Sequence, residues 1–302
     1  MSYYSSIYVS MCISLIGVLS MFVLISLTGI FSMGQASFMS VGAYAAGLMC
    51  LRAGTPMLLN IIIAILLGML VAWGVAVPVI KLRRDYIALV TLAFGEAIVA
   101  LLNSATKFTG GSKGLNGIPR QTTVFIATVS LLIVLFLVLN FKRSKFGRQC
   151  LAVKSDEISA AAMGINVQAI KTLTFVFCGG LTAFGGALWA YLTTYVEPSA
   201  FATKKSIEWI IMVFIGGVNS LSGTVTAGVL LSLLPEFLRF TDNLRIVIYC
   251  IVVLIIINFM PKGLFGEYEI SGLLKKAGAF FAACFKKLRA GGNGKADKEG
   301  QA

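Results

Sequence analysis

The chain contains no histidine. That excludes the imidazole-ligated zinc and haem centres that many enzymes use. Charge is also scarce. Asp, Glu, Lys and Arg make up 12% of the 302 residues, against about 25% in ordinary globular domains. The six cysteines (Cys12, Cys50, Cys150, Cys178, Cys250, Cys284) show no CxxC spacing, and five lie in or beside apolar segments. They read as small packing residues and not as a disulfide framework. No Gly-x-x-x-x-Gly-Lys-Ser/Thr phosphate loop occurs. If the chain moves a solute uphill, the energy therefore comes from a partner or an ion gradient. The first residues, MSYYSSIYVSMCISLIG, lack Lys and Arg. A signal peptide needs a basic leading region, so residues 7–28 are read as a retained span.

What the chain has in abundance is apolar length. It is 58% hydrophobic, in runs of mostly 15 to 24 residues. Such runs suit α-helices crossing a hydrocarbon core of ~30 Å. They lack the alternation and short turns of a membrane β-barrel. The expected fold is all-α, a polytopic transmembrane helical bundle of eight or nine segments. The net charge of +13 does not indicate nucleic acid, because the Lys and Arg sit in loops and tail, as the positive-inside rule places them.

Spans are expected at 7–28, 36–51, 57–80, 85–103, 122–141 and 172–196. Two short segments at 206–219 and 224–240 follow, split by SLSG at 220–223, and a last span runs over about 244–260. Residues 104–121 form a Gly-rich extramembrane loop. The transmembrane domain covers 1–270 and a basic tail covers 271–302. In the tail, residues 273–288 carry apolar side chains at helical spacing between Lys pairs. This fits either a surface helix on anionic lipid or a solvated tail. Residues 290–302 have the composition of a disordered end.

One long polar interval breaks the middle of the chain: Ser144 to Val167, SKFGRQCLAVKSDEISAAAMGINV. With its flanks it carries Lys142, Arg143, Lys145, Arg148, Lys154 and Lys171. Together with the Lys-rich tail, that charge places it in the cytoplasm. Threading backwards puts Lys81 to Arg84 inside, and the N-terminus and the 104–121 loop outside. Lys204 and Lys205 land outside, against the rule. Within the interval, Asp156 and Glu157 suit a helix N-terminus and Gly164 its end, with helix-forming alanines between. The expected product is a short helix with a smooth face, able to sit in a partner's groove, or an ordinary amphipathic loop helix.

Two features suggest a solute path. Gly-rich interruptions occur in both halves, GIFSMGQASF at 29–38 and IGGVNSLSG at 215–223. Unwound backbone at membrane depth presents polar groups to a cavity, although tight packing crossings give the same pattern. Two carboxylates, Glu96 and Glu208, sit in apolar runs, where a charge needs a partner or water. For Glu208, Lys204 and Lys205 lie one turn away. The expected path residues are Gln35, Ser37, Phe38, Thr91, Glu96 and Glu208.

A set of motifs then resembles a known family. They are GIFSMGQASFMSVGAYAAG (29–47), LRRDYIALVTLAFGEAI (82–98), FTGGSKGLNGIP (108–119), SKFGRQCLAVKSDEISAAAMGINVQAIKTLTFVF (144–177), GGLTAFGGALWAYLTTYVEPSAF (179–201), SIEWIIMVFIGGVNSLSGTVTAG (206–228), LPEFLR (234–239) and MPKGLFG (260–266). In this order they are similar to the membrane permeases of ABC importers for branched-chain amino acids, of the LivM type. The resemblance covers about residues 24–266.

It implies a multi-pass inner-membrane subunit, not itself an enzyme. Such a subunit pairs with a LivH-like permease, is powered by two cytoplasmic ATPase subunits that carry the ATP, and is fed by an extracytoplasmic binding protein. The chain itself would hold no cofactor or metal. The family's ATPase-contact motif falls on Glu157, Ala160, Ala161 and Gly164, with Asp156, Met163, Ile165 and Asn166 beside it. The same residues also fit a permease for another solute (urea, a short amide or a sugar) or an ion-coupled carrier. Two departures stand out. The long N-terminal extension of some members, with its extra leading helix, is expected to be absent. Arg83 and Arg84 precede Asp85-Tyr86 where the family often has Arg-Gly.

Overall fold

A computed structural model describes residues 3–82 and 84–237 and a few positions between 248 and 254. The expected last span and the tail lie outside the described residues. The helices are α1 (Tyr3–Phe22, extended by a π-helical turn, Val23–Thr28), α2 (Gln35–Ala53), α3 (Met57–Val79), α4 (Arg84–Ser104), α5 (Thr106–Thr109) and α6 (Val124–Arg143). They continue with α7 (Lys145–Ser155), α8 (Glu157–Ala162), α9 (Val167–Thr193), α10 (Thr203–Gly216) and α11 (Leu221–Phe237). Six helical stretches among the described residues are long and apolar enough to cross a membrane: α1 with its π turn, α2, α3, α4 from Tyr86, α6 and α9. The expected all-α bundle is what forms, and each expected span, as far as residue 237, corresponds to a helix whose ends lie within about five residues of those expected.

The bundle is organised around α9, which packs on α1, α2 and α3. Small residues make this possible, since apolar side chains gain little from leaving lipid and close backbone approach becomes the attractive term. A methyl group added at Gly42 would collide with the Ala183 carbonyl, and one at Gly186 with the Met39 carbonyl. On the other side of α9, a methyl at Gly179 would strike Ala72, and one at Gly68 would strike Ala183. The recurring Gly179, Ala183 and Ala187 thus form the close-packing face that their spacing suggests. The α1 span, by contrast, is buried on nearly all sides, whereas α3 and α6 leave most of their surface open.

The two ends of the bundle differ. At one end lie α7 and α8. At the other, the 104–121 stretch is more built than a Gly-rich loop. It forms α5, a turn of 3-10 helix and strand β1 (Leu115–Asn116), which pairs antiparallel with β2 (Tyr195–Val196) after α9. Gly114, at φ +66°, sits where any side chain would strike the Val196 carbonyl. Tyr44 Oη donates to that same oxygen at 3.2 Å.

The interruption between α10 and α11 falls at residues 217–220, three residues before the expected SLSG. Gly217 takes φ +101°, and its N–H caps Val213 and Phe214. Ser220 Oγ then accepts from Gly223 N at 3.1 Å. Ser220 therefore starts the next helix, because a serine hydroxyl satisfies the N–H groups that a helix N-terminus leaves open.

Candidate functional site

Two places carry the expected functional residues. The first is α8, which is built by its caps. Asp156 Oδ1 accepts from Ile158 N at 2.9 Å, and Ser159 Oγ donates to Asp156 Oδ2 at 2.7 Å. At the other end Ile165 N donates to Ala160 O and Gly164 N to Ala161 O, with Gly164 at φ +81°. This double bond with a left-handed glycine is the Schellman ending. It explains why glycine stands at 164.

The faces of α8 are distinct. Ala160 is buried, and Glu157 turns inward to Lys171 Nζ at 2.6 Å. Lys171 is only 4% exposed. Breaking this pair would leave a buried ammonium, at a cost of a few kcal/mol that the solvent around Glu157 reduces. Ile158 and Met163 point the other way, 83% and 84% exposed. Ala161, Gly164 and Asn166 are exposed and Ile165 is half-buried. Asn166 Oδ1 also caps α9 through Ala169 N at 3.0 Å. Of the residues singled out in sequence, Glu157 and Ala160 hold α8 to the bundle. Ile158, not singled out, forms its outer face together with Met163.

The Ser159 hydroxyl first, and the Ile158 and Ser159 amides after it, lower the Asp156 pKa below the usual carboxylate value. A carboxylate depressed in the folded state lends stability above its unfolded pKa and loses it as pH falls through the folded one. Asp156→Ala is therefore expected to speed amide exchange in Glu157–Ala162 at neutral pH. The unaltered protein should show the same loss only under acid. Unchanged exchange in the variant would show that the cap does not hold α8.

The second place is inside the bundle. After the π turn, Gly29 takes φ +67° and the chain runs back through residues 29–34 to start α2 at Gln35. This start lies at the level of Thr182, midway along α9, whose hydroxyl donates to Gln35 Oε1 at 3.4 Å. Ser20 and Thr182 hydroxyls lie 2.8 Å apart. Gly34 presses on the backbone of Thr91, and Met33 N donates to Thr91 Oγ1 at 3.1 Å. Ala36 N donates to Ser206 Oγ at 2.8 Å, so the first turns of α2 and α10 meet. Ser37 Oγ donates back to Gly34 O at 2.6 Å. Thr203, at the start of α10, donates to the Glu96 carboxylate. Ser32 Oγ and Gln35 Nε2 are buried with no partner among the described residues, which is unusual in a packed interior and marks strain or function.

The structure thus gathers Gln35, Ser37, Thr91 and, through Thr203, Glu96 around one junction of α2, α4, α9 and α10. Phe38 lies behind it, its ring 5.6 Å from both Phe94 and Phe175. Glu208 does not join. It faces a separate cavity of about 960 Å³ between α1, α10 and α11, together with Ser10, Ser14, Lys204 and Glu236. Lys205, offered as a neighbour for Glu208, places its ammonium 4.1 Å over the Trp189 ring. The five cysteines among the described residues are free thiols.

Comparison with known proteins agrees with this architecture. Residues 3–257 match the family model described as branched-chain amino acid transport system, permease component. The chain is 28% identical over 277 residues to the high-affinity branched-chain amino acid transport system permease protein LivM of Escherichia coli strain K12, covering 80% of this chain. It spans 65% of that relative's length. It is 25% identical over 247 residues to a probable LivM of Methanocaldococcus jannaschii, covering 71% of this chain and 69% of the relative. It is 24% identical over 192 residues to the Escherichia coli K12 permease LivH, covering 62% and 61%. No solved structure matches it. With the match running through the spans, the interruptions and α8 alike, the chain is a multi-pass membrane protein belonging to the family of branched-chain amino acid transport system permease components.

Proposed function

We propose that the chain is the LivM-type membrane subunit of an ATP-driven importer for branched-chain amino acids. The observation that carries this reading is the outer face of α8. Ile158 and Met163 are the two most exposed large apolar side chains among the described residues. They stand at a bundle end, outside every span, on the interval whose charge assigns it to the cytoplasm. Apolar groups held out in water on a capped helix fit a partner's groove. The partner on this reading is a cytoplasmic ATPase subunit, one for each of two paired permeases, with ATP bound there and not on this chain. A LivH-like chain is the second permease, and a binding protein meets the opposite end, where the 104–121 stretch is tied to β2.

On this reading the junction of α2, α4, α9 and α10 is the gate. Its polar side chains exchange partners when the path opens, and the orphaned groups of Ser32 and Gln35 acquire them. Glu96, exposed on the surface of the single chain, faces the path or the second permease, because lipid would penalise its charge.

Gly164 tests the reading. A Cβ there meets nothing within 4 Å, so added bulk points into solvent, and the left-handed φ costs a side chain about 1–2 kcal/mol. In the reconstituted transporter, Gly164→Arg is expected to abolish uptake and solute-stimulated ATP hydrolysis while the subunits still reach the membrane. Gly164→Ala, with the strain but not the bulk, should keep most of both. Normal uptake by the arginine variant would overturn the coupling role of α8. Uptake driven by an ion gradient in the chain reconstituted alone would overturn the importer reading. Stimulation only by a urea, amide or sugar-loaded binding protein would overturn the solute.

A further inference from the structure

We infer that Lys154 is the positioning residue that ties α8 to both helix interruptions at once. It stands in the last turn of α7, beside the fully buried Val153 and two residues before the Asp156 cap of α8. Its ammonium donates to Ser26 O at 2.9 Å and to Asn219 Oδ1 at 3.2 Å. Ser26 lies in the π turn that leads into the 29–34 interruption, and Asn219 lies in the 217–220 turn between α10 and α11. One cation thus holds the α8-side end of each interrupted segment. The Ser26 carbonyl belongs to a helix end, where carbonyls lack intrahelical donors and a positive charge is favoured. Bonds from an ammonium are roughly twice as strong as neutral ones.

The lever that carries Lys154 is stiff. α7 folds sharply back on α6 because Gly147 sits against the carbonyls of Phe141 and Lys142, where a side chain would collide. Its buried face places Cys150 Sγ 3.3 Å from Thr174 Oγ1 of α9. Lys142, at the end of α6, adds a second hold on the same turn through Asn219 O at 3.4 Å.

From Asn219 the connection closes on itself. α10 is a single rod of 14 residues from the turn back to Thr203. In its first turn Ser206 accepts from Ala36 N, at the far end of the 29–34 interruption. The ring runs Lys154, Asn219, α10, Ser206, Ala36, residues 34–29, Ser26 and back to Lys154. A displacement of α8 therefore reaches the α2–α10 junction from both sides together. The lysine coordinates them.

This rests on the reading of α8 as the ATPase contact, and the test separates the two. The measured quantity is solute taken up per ATP hydrolysed by the complete transporter in proteoliposomes, with subunit co-purification recorded. Lys154→Met keeps the stem and removes the donors. It is expected to leave ATP hydrolysis within about twofold and lower the uptake-to-hydrolysis ratio about tenfold, and Lys154→Arg to restore the ratio to within about twofold. A wild-type ratio in Lys154→Met overturns the inference. So does a parallel fall of uptake and hydrolysis, which is the mark of lost docking. If the methionine variant does not assemble, Asn219→Leu decides. A ratio lowered about threefold supports the ring, and an unchanged one overturns it. Full uptake in Gly164→Arg would sink the α8 reading itself. The expected loss there, with normal coupling in Lys154→Met, sinks only the role of the lysine.

Discussion

Replacing Ile158 and Met163 together by glutamate is expected to strip the ATPase subunits from a complex whose membrane part stays folded. Both side chains are more than four-fifths exposed in the single chain. Changes at such sites shift folding stability by about 0.5 kcal/mol at most. Burying an Ile or Met side chain is worth about 1.5–3 kcal/mol each. Two lost together, with charges forced into an apolar groove, come to about 3–6 kcal/mol. At about 1.4 kcal/mol per tenfold, that is a hundredfold or more in ATPase affinity. Co-purification of the ATPases should fail and uptake should vanish. The melting temperature of the detergent-solubilised permease pair should stay unchanged. Asn103→Glu, exposed at the opposite end, is the control and should retain the ATPases. Full retention of the ATPases by the Ile158/Met163 double variant would show that α8 is not their seat.

The second large effect is structural. Gly186→Val is expected to remove folded protein from the membrane. The α2–α9 crossing has no side chain to yield, because a methyl at Gly186 meets the backbone of Met39 and one at Gly42 meets the backbone of Ala183. Overpacking a tight interior costs typically 1–3 kcal/mol when side chains can shift. Here the helices themselves must part, and the junction of Gln35 with Thr182 parts with them. The expected loss is about 3 kcal/mol or more, read as reduced membrane yield and an earlier thermal transition. Gly74→Val is the matched control, since a Cβ there meets nothing within 4 Å. The double variant Gly42→Val with Gly186→Val should cost less than the sum of the two, because a crossing opened by one valine already accommodates the other. Additive costs would mean that the two glycines guard separate contacts.

Much of this was legible in the chain. Long apolar runs, scarce charge and flanking lysines are local quantities, so the membrane class and the span positions follow from them without knowledge of the fold. The same holds for α8. Asp156 at its start and Gly164 at its end act on backbone groups within a few residues, and their chemistry is readable from their spacing. The two interruptions and the four-residue recurrence of Gly179, Ala183 and Ala187 were equally visible. Other features were beyond its reach. Glu96 and Glu208 look alike in sequence, yet one joins the α2–α10 junction and the other faces a separate cavity. Lys154 is one of several lysines in a basic interval until Ser26 and Asn219 are brought to it. Lys171 meets Glu157, and Ala36 meets Ser206, across separations at which helical periodicity carries no information. Which stretches enter the membrane, and roughly where most spans begin and stop, can be read from the chain, because those depend on transfer from water and on backbone groups a turn away. Which polar residues share a junction was decided only by the tertiary structure, because it depends on how helices distant in the chain cross, and that is set by which small residues let their backbones touch.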